Sequence, residues 1–391
     1  MKITEKLTPE EARFLFISSQ LLADNKSAKD KVQLQKIIEQ IGYVQIDTIS
    51  IVERSHHHIL WSRMNSYLRS MLDELIEYDK TIFEYWSHAA AYLPIKDYRY
   101  SLIRKNNYSR KYKTWGSANK KTIKQVYDRI KSEGALQSKD FEDPRTKSEG
   151  WWDWKPSKDA LDFLFHKGEL MIAKRKGFQK VYDLTERVLP ANTDTTFPTE
   201  KEFYKHLISN SIKANGLVTD REIAYLRNYD RKLFSKVIEE LLENQNIFKV
   251  SIKGFENGNY FTNHTKLELL NERKKHSEIH ILSPFDNLVI QRKRLKEFFG
   301  FDYQIECYLP AAKRKFGYFC MPVLYGDKLI GKIDAKALRQ NKIFIVKKIF
   351  WEEKTKLNEK ILKKIEKKLN EFAKFTGCDE TEGLDFKNKL K

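Results

Sequence analysis

The chain has 391 residues, 41% of them hydrophobic, with a mean hydropathy of −0.63, enough to bury a sizeable soluble core and, at roughly 150 residues per domain, to form two to four units. No run of eighteen apolar residues occurs and Met1-Lys2-Ile3-Thr4-Glu5-Lys6 carries mixed charge, so neither a membrane span nor a secretory leader is expected; the expected location is the cytoplasm, with association to the nucleoid. An excess of 73 Lys and Arg over 54 Asp and Glu gives +19 and favours a polyanionic partner, because each neutralised phosphate releases condensed counterions.

Residues 9–22 and 28–41 read as two helices, the second with Leu34, Ile37, Ile38 and Ile41 on one face and Gly42 as its stop. In Tyr43-Val44-Gln45-Ile46-Asp47 an extended backbone would bury Val44 and Ile46 and present Gln45 and Asp47 together on the other face. Ser50 followed by Glu53 has capping-box spacing for a helix carrying His56, His57, His58 and Trp61. Further on, a helix from Lys120 to Lys131, a linker with Pro144 and Gly150 and a helix over 157–167 precede strands at 168–173 and 181–184, joined by the basic turn Lys174-Arg175-Lys176-Gly177. Helices at 199–214, 219–227 and 230–245, then strands at 247–250 and 260–262, repeat that helix-to-hairpin order. From about Ser277 the composition is strand-like at 279–282, 304–308, 317–324 and 329–333, followed by an amphipathic helix with Leu357, Ile361, Leu362, Ile365, Leu369 and Phe372 on one face.

This order predicts an α+β protein: tandem winged-helix domains followed by a smaller mixed α/β C-terminal domain. The expected boundaries are 1–118, holding the Gln45/Asp47 segment, 119–195, 196–276 and 277–391.

Residues 99–131 hold eleven Lys or Arg against one acid, Asp128, with Tyr100, Tyr108, Tyr112, Trp115 and Tyr127 between them. Such a stretch suits a nucleic-acid backbone, with Lys111 and Lys113 as phosphate contacts, although a solvated helix face over core aromatics has the same composition. Lys174, Arg175 and Lys176 in the basic turn, and Lys313 and Arg314 after Pro310, are weaker candidates. Three scattered cysteines and three consecutive histidines fit neither a disulfide framework nor a metal site, and the glycine-rich phosphate-binding and GxSxG patterns are absent. Neither a cofactor nor a metal is expected.

Read as bare residues, Asp47 suits a helix N-cap and Gln45 a turn. However, Gln45-Ile46-Asp47 with Arg54-Ser55-His56 and Leu60-Trp61-Ser62-Arg63 resembles the AlkZ/YcaQ-type winged-helix DNA glycosylases. So do Glu84-Tyr85-Trp86-Ser87-His88, the stretch from Tyr182 to Pro190, Ser283-Pro284-Phe285-Asp286, Phe299-Gly300-Phe301-Asp302-Tyr303 and residues 308–326.

The resemblance implies a basic channel lined by winged-helix domains and a catalytic Gln-x-Asp pair, Gln45 and Asp47. His88 is a secondary site candidate, with a buried hydrogen-bonded histidine as the competing reading, and Arg54 and Arg63 join the DNA-contact candidates. The implied substrate is double-stranded DNA bearing N7-alkylated purines or interstrand crosslinks, cut by a monofunctional hydrolase rather than a lyase. N7-alkylation makes the purine a cationic leaving group that needs no general acid. A carboxylate of ordinary pKa about 3.9 is ionised at neutral pH, where it stabilises a developing oxocarbenium and activates water. A noncatalytic winged-helix transcription regulator is the alternative, and an RNA-binding protein the third reading.

Overall fold

The structure, a computed structural model, describes residues 5–23, 29–142, 155–274, 276–353 and 355–384. The expected linker with Pro144 and Gly150 lies outside them. The chain divides into two compact units, one made of residues 1–29, 40–67 and 205–391, the other of residues 30–39 and 68–204. Both mix helices with antiparallel sheet.

In the first unit the opening helix, Pro9–Ser19, starts where Thr8 and Glu11 form a reciprocal capping box and Pro9 sits at the first helical position. Its buried face, Leu15, Phe16 and Ile17, joins one core with Val250, Ile252, Leu282, Leu288, Phe298 and Phe301. Strand Glu5–Leu7 pairs in parallel with Phe248–Ile252, which pairs antiparallel with Tyr260–Thr262. This hairpin follows helices Glu200–Asn215, Asp220–Ile223 and Arg231–Glu243, the order read from the sequence.

A five-stranded sheet runs in the order Ile279–Ile281, Met321–Tyr325, Lys328–Leu338, Ile343–Trp351, Glu380–Glu382. The last two strands extend it beyond the expected set. Helix Glu359–Thr376 buries Ile361, Leu362, Ile365, Leu369 and Phe372, as its periodicity predicts. The strand expected at 304–308 is instead loop. There the Glu306 carboxylate accepts three successive backbone N–H groups, from Lys315 (3.1 Å), Phe316 (2.8 Å) and Gly317 (3.1 Å), so a side chain takes the place of a ladder partner.

The second unit packs helices Arg69–Glu77, Tyr98–Lys111, Lys120–Glu133 and Pro156–Lys167 with a hairpin, Ile82–Trp86 and Ala90–Pro94, and a sheet ordered Leu136–Gln137, Gln179–Leu184, Leu170–Lys176. Phe83, Tyr98, Ile130, Leu161, Leu164, Leu170, Ile172 and Leu184 share its core. Gly168 ends the Pro156–Lys167 helix in the left-handed region, φ +92°, where a Cβ would also lie 2.6 Å from Lys105 Cδ. Tyr108, Trp115 and Tyr127, three aromatics of the basic stretch, are partly buried and pack against this core.

Candidate active site

The Gln45/Asp47 segment belongs to the first unit. It follows helix Lys31–Ile41, which stops as Gly42 turns to φ +79°. Only Val44 and Gln45 are strand. Val44 and Ile46 are buried as expected, but Gln45 is buried too, at 7% exposure, and only Asp47 is part-open. The backbone is fixed from several sides. Asn287 donates its amide to the carbonyls of Ile41 (3.1 Å) and Tyr43 (3.0 Å). After the motif, the Ala337 N–H donates to the Ile51 carbonyl at 3.0 Å, and Arg339 donates to the carbonyls of Ser50 (3.1 Å) and Val52. Asn287 and Arg339 were not candidates from the sequence. The first adjoins the Ser283–Asp286 motif, whose likeness to a known family was its only signal.

Asp47 Oδ1 accepts the Ile49 N–H at 2.6 Å. Because residues 47–54 are non-helical and helix Ser55–Trp61 takes Arg54 as a cap without a side-chain bond, Asp47 is not an N-cap and the Ser50/Glu53 capping box does not form; Glu53 instead accepts the Arg54 N–H at 2.8 Å. Among the described residues no hydrogen bond engages Asp47 Oδ2, and the buried Gln45 Oε1 has no partner. Burial pushes the Asp47 carboxyl pKa up, against the pull of the Ile49 N–H and of the nearby Arg54 charge. Arg54 also donates to the Thr48 carbonyl at 3.3 Å. The pair therefore has one tethered carboxylate with an oxygen to spare and one amide whose oxygen has no protein partner.

Later in the same unit's sequence, burial raises the pKa of Cys307 and Tyr308, with the Asp47 charge the next cause at Cys307 and the Cys307 charge, then that of Asp47, at Tyr308. Their loop is braced by Glu306, in which burial works to raise the carboxyl pKa and the three amide donors outweigh it. Gly317, one of those donors, has φ +135° and a Cβ there would lie 2.6 Å from the Asp334 carboxyl. Arg314 donates to the Leu309 carbonyl at 2.9 Å and lies over the Tyr318 ring, while Lys313 is exposed.

Three DNA-contact candidates are engaged by protein groups. Arg63 is fully buried: all five of its N–H donors are taken, by Asp286 (2.7 and 3.0 Å), Gln20 Oε1 (2.9 Å) and the carbonyls of Gln20 (2.9 Å) and Ile59 (3.0 Å). It is a core clamp. Arg175 is half-buried and forked onto the buried Glu84 at 2.8 Å through both Nε and Nη2, and its neighbour Lys174 is paired with Glu77.

Lys111, Lys113 and Lys176 are exposed on the second unit. That unit also carries His88, half-buried in the turn between strands Ile82–Trp86 and Ala90–Pro94. His58 and His280 are buried and cross-linked, His58 Nε2 to the Ile281 carbonyl at 2.8 Å and His280 Nδ1 to the Ser62 carbonyl at 3.0 Å. Among the described residues no three His, Cys, Asp or Glu side chains converge as a metal site, and no helix is long and apolar enough to cross a membrane.

The solved structure of DNA glycosylase AlkZ from Streptomyces sahachiroi is similar in fold, with a TM-score of 0.63 over 96% of this chain and 98% of that one at 16% sequence identity. A family model described as "DNA glycosylase AlkZ-like" matches residues 38–375, a span that begins just before Gln45 and closes within the Glu359–Thr376 helix. With most of the chain under that match, the protein belongs to the AlkZ-like DNA glycosylase family.

Proposed function

We propose that this DNA glycosylase hydrolyses the N-glycosidic bond of N7-alkylated purines in duplex DNA, with Asp47 as the reacting carboxylate and Gln45 holding the water. The observation that carries this reading is the Asp47 carboxylate, tethered through Oδ1 with Oδ2 unengaged, two residues from a buried amide oxygen that has no protein partner. A cationic alkylpurine leaves without protonation, so the enzyme must supply negative charge for the oxocarbenium-like sugar and a base for water. A partly desolvated carboxylate with a raised pKa suits both tasks. The amide of Gln45 can orient the water that Asp47 deprotonates. The reading is hydrolytic because the chemistry assigned to Asp47 involves no amine nucleophile.

DNA engagement follows from the architecture in the same proposal. Helices Lys120–Glu133 and Pro156–Lys167 with hairpin Leu170–Lys176/Gln179–Leu184, and helices Glu200–Asn215 to Arg231–Glu243 with hairpin Phe248–Ile252/Tyr260–Thr262, are taken as winged-helix units. Lys111, Lys113, Lys176 and Lys313 are taken as phosphate contacts. An N7-linked interstrand crosslink is a second substrate of the same chemistry, since its tethered purine is cationic in the same way.

The test is incubation with a duplex carrying one N7-methylguanine, followed by assays for the free base and for an abasic strand. Release with no borohydride-trapped protein–DNA adduct supports the reading. Tight, sequence-specific binding without release would replace it with the regulator.

A further inference from the structure

Asp47 sits on a segment with no regular structure of its own. Residues 47–54 are neither helix nor strand, so their backbone groups take partners from elsewhere. Asp47 is tied into the segment through Oδ1, which accepts the Ile49 N–H at 2.6 Å. Directly after Ile49, three successive carbonyls are bound by one place in the fold, the end of strand Lys328–Leu338. Ala337 donates its N–H to the Ile51 carbonyl at 3.0 Å, and the Arg339 guanidinium donates to the carbonyls on either side, Ser50 (3.1 Å) and Val52.

Arg339 is anchored in turn. Its Nε bonds the Thr376 carbonyl at 3.0 Å, at the end of helix Glu359–Thr376, and its Nη2 lies 3.8 Å from the buried Glu53 carboxylate. It opens the turn to strand Ile343–Trp351, where the Lys342 N–H returns to the Arg339 carbonyl at 3.3 Å and the Lys342 carbonyl accepts the Asp379 N–H at 2.8 Å. A guanidinium suits this place because it presents its donors in a fixed planar fork.

We propose that Arg339 is a positioning residue for the glycosylase reaction: by fixing the Ser50 and Val52 carbonyls it holds the Ile49 N–H on Asp47 Oδ1 and gives Oδ2 one direction. The inference rests on the glycosylase reading of the Asp47 site. Arg339 acts through the backbone and touches no substrate. Two effects of its loss are readable. A carboxylate displaced by about 1 Å loses on the order of 10²-fold in rate. The Ile49 N–H and the Arg54 charge pull the Asp47 pKa down against burial, so releasing that amide raises it further. Asp47 reacts as the anion, and the acid limb of the pH–rate profile therefore moves to higher pH. Cys307 and Tyr308, the other titratable groups coupled to Asp47, are the same in parent and variant.

The experiment compares full-length parent, Arg339→Gln and Arg339→Lys in single-turnover release of N7-methylguanine at saturating enzyme over a series of pH values, with duplex affinity and melting temperature alongside. Arg339→Gln should release base about 10–100-fold more slowly, bind duplex like the parent and show the acid limb moved up in pH. Lysine separates positioning from charge balance. Its ammonium keeps a cation for Glu53 but cannot form the fork, so Arg339→Lys should melt near the parent and still release slowly with the moved limb. Parental rates and an unmoved limb in both variants overturn the inference and leave the glycosylase reading standing. Full recovery in Arg339→Lys also overturns it, reducing the link to charge balance, as does a loss confined to duplex affinity. A parent that releases no base overturns the glycosylase reading and this inference with it.

Discussion

Arg63 marks how far single residues can be read without their neighbours. In the sequence it is one more cation in a family-like motif; in the fold it is a guanidinium with no exposed atoms, saturated by Asp286, Gln20 and Ile59. Nothing local predicts this, because Asp286 lies 223 positions away. Removing one member of a buried pair strands the other charge. We therefore expect Arg63→Met to cost about 3–5 kcal/mol of unfolding free energy, measured by urea titration, while the salt dependence of DNA binding by the folded fraction stays at the parent slope. A variant of parental stability would show that Asp286 finds another counterion.

Gln45 and Asp47 were legible as a pair, since their spacing and the family likeness were both in view. The burial of Gln45 was not, because a period of two cannot tell a half-covered strand from one covered on both faces.

At the scale of elements, the long amphipathic helix and the hairpins at 170–184 and 248–262 were readable from periodicity and turn residues, which act over a few positions, whereas the hairpin Ile82–Trp86/Ala90–Pro94 was not foreseen. The loop at 304–308 was not, because Gln304-Ile305-Glu306-Cys307-Tyr308 alternates like a strand while Glu306 satisfies amides ten residues on. Contacts between elements also set the acid limit of the fold. His58 on helix Ser55–Trp61 bonds strand Ile279–Ile281, and His280 on that strand bonds Ser62 at the helix's end, each by one ring nitrogen; among the described residues their other nitrogens, Nδ1 and Nε2 respectively, are buried without partners. Burial pushes both pKa values down to about 4; Lys368 adds to this for His280, Arg63 lowers both further, and Asp286 opposes the shift at both.

A folded pKa below the unfolded value of about 6.5 means that the unfolded chain takes up protons first on acidification. The stabilisation is thus complete above pH 6.5 and lost as the pH falls toward 4, on the order of 3 kcal/mol for each histidine. Denaturation at a series of pH values should show that decline. His58→Gln, which keeps an N–H for the Ile281 carbonyl, should flatten it; an unchanged slope would mean that these imidazoles are solvated when charged.

For the molecule as a whole, the net charge of +19 pointed to a polyanion, and membership of a DNA glycosylase family agrees with it. Its distribution is less simple. Within residues 99–131, Arg99 pairs with Glu202, Lys124 with Asp128 and Arg129 with Glu133, so counting lysines and arginines overstates the binding charge. Lys111 and Lys113 remain exposed. Changing both to Glu should weaken all duplexes alike and flatten the log–log salt slope by about 0.9 for each phosphate that is no longer neutralised; an unaltered slope would make them plain surface.

The central claim is that this +19 scaffold delivers DNA to one carboxylate, and Asp47→Asn tests it most directly. Asparagine keeps the shape and the acceptor for the Ile49 N–H but removes the charge. Single-turnover release of N7-methylguanine should fall by about 10²–10⁴-fold, the range for a positioned general base, with duplex affinity by fluorescence polarisation and melting temperature close to the parent. Release at the parent rate would contradict the account and take Asp47 out of the mechanism.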